Sequence, residues 1–126
     1  MPALRSAGFT LIELLVTLAI IALLLSIAVP RYVGSLQRAD EAALHEDLAM
    51  MRDALDKRYA DKGRYPTSLD DLVSEKYLRK IPPDPVTQTA ATWVAVPPSD
   101  PQLGGVADVR SGAKGVGRNG VPYAQW

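Results

Sequence analysis

The 126-residue sequence has no cysteine. Disulfide staples, thiolate catalysis and cysteine-held zinc are therefore excluded. It has one histidine, His45, flanked by the acids Glu41, Glu46 and Asp47. A catalytic or metal role for it would need convergent partners that the sequence does not offer, so it is read as a solvated helical histidine. An excess of charge is missing too. Fourteen basic and 14 acidic residues cancel, and the basic ones form no run. That leaves no electrostatic footprint for nucleic acid. With an apolar stretch near the start set aside, roughly ninety residues remain, which is small for a self-supporting core.

What the sequence does have is a long apolar run with one charge in it. Met1 to Gly8 is a short polar start carrying Arg5, and Phe9 to Val29 spans 21 residues in which Glu13 is the one strongly polar group. As a helix this is about 31 Å, close to the thickness of a bilayer core. A secretory signal cut after Ala28 is one reading, but Val29-Pro30 directly follows that point and proline restricts the backbone there. A plain membrane anchor is another, and it leaves Glu13 unexplained. A carboxylate deep in a membrane helix costs about 3 kcal/mol, so it implies a function and a partner.

Gly8-Phe9-Thr10-Leu11-Ile12-Glu13-Leu14-Leu15 resembles the signal of type IV pilins and pseudopilins. The resemblance implies a prepilin peptidase that cuts between Gly8 and Phe9 and then methylates the new amino terminus of Phe9. It also implies that Glu13, the fifth residue of the mature chain, attracts the amine of a neighbouring subunit during assembly. An unpaired carboxylate in an apolar medium is costly, and a cation brought to it relieves that cost.

Beyond Val29 the pattern changes. Pro30 predicts a helix kink near Ser26–Pro30, because proline removes a hydrogen bond and crowds the carbonyl four residues back. From Arg31 to Lys62, Val33, Leu36, Ala43, Leu44, Leu48, Met51, Leu55 and Tyr59 recur at helical spacing. Arg38, Asp40, Glu41, Glu46, Asp53, Asp56 and Lys57 fill the opposite, solvated face. Gly63 is a stop signal. The helix would run about 54 residues, roughly 80 Å.

Residues 63–126 read as a small globular head. Thr67 or Ser68 caps a short helix from Leu69 to Glu75. Thr92–Val96 and Gly105–Ser111 read as short strands that lie on the apolar helix face and bury Leu72, Leu78, Ile81, Trp93, Val94 and Val109. Tyr123 and Trp126 anchor the tail. The loop Gly112–Gly117 fits no phosphate-binding fingerprint. The order GRYPTSLDDLVSEKYLRKIPPDP resembles the segment after the long helix in major pseudopilins of type II secretion.

The resemblance implies an α+β, type IV pilin-like fold: a long N-terminal helix with a small antiparallel head. It divides the chain into a leader (1–8), a transmembrane or filament-core helix (9–29), an amphipathic half (30–62) and the head (63–126). The implied function is that of a non-enzymatic filament subunit in the bacterial inner membrane, head in the periplasm, helping to export folded proteins. Its implied partners are copies of itself, minor pseudopilins, the peptidase and methylase, and an inner-membrane platform with its ATPase. A type IV pilus subunit and a membrane-tethered domain that does not polymerise are the alternatives. Major pseudopilins often hold calcium near the end of the head, where Asp108 and Ser111 match the start of the region. Lys114, Arg118 and Asn119 stand where acids are expected, so the sequence predicts no cofactor, or a weakly held calcium at most.

Overall fold

The computed structural model of the chain describes residues 7–126. Arg5, which fits a cytoplasmic start, lies outside the described residues. The chain divides into two compact units, one ending at Gln37 and one beginning at Arg38. A single helix, α1 (Leu11–Lys62), supplies residues to both.

In the first unit every residue from Ala7 to Val33 is exposed. α1 is long and apolar enough there to cross a membrane, and none of that apolar window is buried. A helix suits a medium without water because it satisfies its own N–H and C=O groups. The hydroxyls follow the same rule. Thr17 Oγ1 donates to the Glu13 carbonyl at 2.7 Å, and Ser26 Oγ donates to the Leu23 carbonyl at 2.6 Å. The helix runs through Pro30 without a break, although Pro30 has no N–H to give the Ser26 carbonyl.

In the second unit, α1 buries Leu44, Leu48, Met51 and Leu55, spaced as one helical stripe, with Ala54 beside them. It ends at the expected place. Gly63 takes φ +68°, and its N–H donates to the Tyr59 carbonyl at 2.7 Å. This is the left-handed cap that glycine adopts without steric penalty. The second helix, α2 (Leu69–Ser74), follows Ser68. The Asp71 carboxylate reaches back to the N–H groups of Thr67 at 3.0 Å and Ser68 at 3.3 Å, which satisfies donors the helix cannot. Just after α2, Glu75 binds Arg58 at 2.8 Å and Lys62 at 3.1 Å, fastening this segment to α1.

Two strands, β1 (Val94–Val96) and β2 (Asp108–Arg110), pair antiparallel with Ala95 opposite Val109. Both are shorter than the sequence suggests, for identifiable reasons. Ala90–Thr92 forms a 3-10 turn in which Thr89 Oγ1 accepts from the Ala91 N–H at 3.2 Å. Gly105 and Val106 both donate to the Pro66 carbonyl at 3.0 Å, so they pair with the segment after α1 and not with β1. The core adds Leu72, Leu78, Val106, Val109, Ala113 and Tyr123 to the helical stripe, with Ile81 and Trp93 packed half-buried against it.

Two expectations about burial fail. Val94 is 49 % exposed. Side chains alternate along a strand, and Val109 is the buried residue of β2. Val94 pairs with Arg110 and so shares the outward face. Glu41, placed on the solvated face, is buried at 8 % exposure. The returning tail covers it and supplies donors: the Tyr123 hydroxyl at 3.0 Å and the Arg118 N–H at 2.8 Å, both to Oε1.

Candidate functional site

Gly8 and Phe9 lie in non-helical chain just before α1, and Phe9 is 89 % exposed. A Cβ on Gly8 would meet nothing within 4 Å. Packing within the chain therefore gives no reason for glycine there, and the peptide bond joining Gly8 to Phe9 is open to approach.

The first turn is built by Thr10 and Glu13. The Thr10 N–H donates to Glu13 Oε2 at 2.9 Å, and the Glu13 N–H donates to Thr10 Oγ1 at 3.2 Å. This is a reciprocal capping box, in which each side chain satisfies a backbone donor that the helix leaves free. Its signature, Thr-x-x-Glu ahead of an apolar run, stands plainly in the sequence. Treating Glu13 as a lone charge overlooks this pairing. The carboxylate also sits where the helix dipole favours it. It opens onto a shallow groove lined by Phe9, Ile12, Glu13, Val16 and Thr17. Gly8, Phe9 and Glu13 thus come together at one end of the first unit. Pro30 lies more than four turns further along α1 and takes no part.

The two residues offered for calcium do not fit one. Asp108 Oδ1 is held by Arg52 Nε at 2.8 Å and by the Val109 N–H at 2.8 Å. Ser111 is buried, donates to Asp84 Oδ2 at 2.5 Å and accepts from the Ala113 N–H at 3.1 Å. Asp84 itself is fully buried, and its Oδ1 accepts from the Val86 N–H at 2.8 Å. Calcium takes six to eight oxygens. No group of three or more His, Cys, Asp or Glu side chains placed to hold a metal ion exists among the described residues. His45 is exposed, yet it is more than a solvated side chain, since its ring stacks on Trp126 at 4.2 Å between centroids. Tyr123 meets the same indole edge-on at 5.1 Å. The aromatic anchor expected for the tail is in place.

A family model described as the prokaryotic N-terminal methylation motif matches residues 4–29. The type II secretion system core protein G of Klebsiella michiganensis is 31 % identical over 121 residues, covering 91 % of this chain and 85 % of that protein. The chain belongs to the type II secretion core protein G family. Core protein G of Aeromonas hydrophila is 33 % identical over 97 residues, covering 64 % of this chain and 68 % of that protein. That of Escherichia coli K12 is 31 % identical over 97 residues, covering 77 % of this chain and 67 % of its own. No solved structure matches the chain. Membership of the core protein G family makes the long apolar helix and two-stranded antiparallel head a type IV pilin-like α+β fold. The matched methylation segment contains Gly8, Phe9, Thr10 and Glu13, the residues that meet at the start of α1.

Proposed function

We propose that the chain is a structural subunit of a type II secretion pseudopilus. It sits in the bacterial inner membrane by one span, with its head in the periplasm. It polymerises into a filament that helps to drive folded proteins across the outer membrane, and it catalyses nothing itself. The observation that carries this reading is the first unit, an apolar helix buried nowhere in the chain, with one carboxylate in its first turn. Such a surface calls for lipid, and then for other copies of the same helix.

In this reading residues 1–8 are a leader, the peptidase cuts the Gly8–Phe9 bond, and the amine of Phe9 is then methylated. The helix starts two residues beyond Phe9, and the Gly8–Phe9 peptide lies in non-helical, exposed chain. Glu13 has two successive tasks. In the single subunit its carboxylate accepts from its own Thr10 N–H. Beside an earlier subunit it gains an ammonium group, and a charge-assisted bond is about twice as strong as a neutral one. Insertion is thereby favoured in one register. Minor pseudopilins, the peptidase and methylase, and a membrane platform with its ATPase are the partners that this role requires. The chain carries no resident cofactor in this role.

The test is complementation of a deletion strain with wild type or Glu13→Gln. Glutamine keeps an oxygen for the Thr10 N–H and removes the charge. The variant is expected to insert normally in the membrane, form no filament and leave exported enzymes inside the cell. Normal filaments would refute the pairing role of Glu13. A deletion that leaves exported enzymes in the medium while abolishing surface motility would make the chain a pilus subunit.

A further inference from the structure

We infer that the cation of the head is built into the chain as Arg52, and that this head closes its C-terminal tail without a divalent ion. The guanidinium of Arg52 projects from α1 to three acceptors on two other segments. Its Nε donates to Asp108 Oδ1 at 2.8 Å, while its Nη2 donates to the main-chain oxygens of Val109 at 3.0 Å and Trp126 at 2.8 Å. These partners lie 56, 57 and 74 residues away in sequence. One planar, permanently charged group therefore ties the helix, the second strand and the end of the chain together.

A carboxylate and main-chain oxygens are ligand types that a calcium ion would use. Here the Arg52 guanidinium binds all three. The remaining oxygens nearby have partners of their own. Ser111 is buried between Asp84 and the Ala113 N–H, and Asn119 Oδ1 accepts from the Val121 N–H at 3.0 Å. The flanking loop brings Lys114 and Arg118, two further positive charges that repel a divalent cation. The tail is also seated by contacts no ion supplies. Trp126 stacks on His45, and the Tyr123 hydroxyl reaches the buried Glu41. Arg52 and Asp108 are each 37 % exposed, so part of their attraction is screened by water. The guanidinium still works as a three-way tie, because Val109 and Trp126 share it with Asp108.

The experiment uses the full chain in detergent micelles, with tryptophan fluorescence followed on heating. Both tryptophans, Trp93 and Trp126, are in the head. Wild type is melted with excess EGTA and again with excess calcium chloride, and the two midpoints are expected to coincide. Calcium present at a hundred times its dissociation constant would raise the midpoint by roughly 10 °C or more, and a rise of that order overturns the inference. Arg52→Gln is expected to lower the midpoint by about 5 °C and to release Trp126, seen as a red-shifted emission in the folded state. A variant that melts and emits like wild type also overturns it. Should Arg52→Gln not fold, the wild-type comparison alone decides. None of these readouts depends on secretion, so their outcome is independent of the filament assignment.

Discussion

Leu48→Ala tests how the head is held to its helix. Leu48 is 1 % exposed, in the middle of the stripe Leu44, Leu48, Met51 and Leu55. The substitution removes three carbons' worth of buried apolar volume, about 2.4 kcal/mol at roughly 0.8 kcal/mol for each methylene-sized group. The cavity left behind adds to this, because helix and head relax only in part, and about 3–4 kcal/mol is the expected total. The unit from Arg38 to Trp126 is of a size for which each kcal/mol moves the midpoint by about 4–8 °C, so the expected drop is roughly 12–30 °C. Tryptophan fluorescence of the full chain in micelles reads it, because the first unit contains no tryptophan. The paired control is Leu24→Ala, whose side chain is 61 % exposed in the apolar span and which is expected to leave the head midpoint unchanged. A drop below about 4 °C for Leu48→Ala, or equal drops for both, would show that the stripe is not what holds the head.

Two further predictions concern acid and backbone. Hydrogen bonding to Arg58, then to Lys62, holds the Glu75 carboxyl at about 2, below its ordinary 4.5. A depressed carboxyl adds stability above its ordinary value and loses it as pH falls toward the folded one. The midpoint advantage of wild type over Glu75→Gln should therefore be full above pH 4.5 and fade as pH falls toward 2. Burial, with Glu46 and then Asp84, raises the Asp47 carboxyl and works in the opposite direction in both proteins, so the difference between them isolates Glu75. An advantage that stays constant with pH would contradict the pairing. Gly112→Ala should cost about 1–3 kcal/mol of head stability, since its new Cβ would strike the main-chain oxygen of Thr92. Gly34→Ala, with nothing within 4 Å, should leave the head midpoint alone, and equal melting of the two variants would refute the close approach.

What the sequence makes legible is what is local. The apolar span, the stripe from Leu44 to Leu55, the stop at Gly63 and the cap before α2 each depend on residues within a turn or two of one another. Periodicity and capping chemistry report such features directly. What stays hidden is long-range pairing of polar groups. Glu41 stands three residues before Leu44, in line with the buried stripe, but nothing near it in sequence announces Tyr123, 82 residues away, which covers it. Arg52 stands four residues after Leu48 and three before Leu55, beside the buried stripe, and nothing near it in sequence announces Asp108 or the Trp126 oxygen. The strands fall short for the same reason, because Gly105 and Val106 find the Pro66 carbonyl, which alternation alone does not reveal. At the candidate site, Gly8, Phe9 and Glu13 were legible as a motif. The Thr10–Glu13 capping box was equally legible, and it gives Glu13 a structural task besides its proposed one.

The mature N-terminus bears most directly on the proposal of a processed filament subunit. Intact-mass spectrometry of the chain extracted from its native membrane should give a protein that begins at Phe9 and carries a methyl group on that amine. A chain still bearing residues 1–8, or one cut after Ala28, would contradict it.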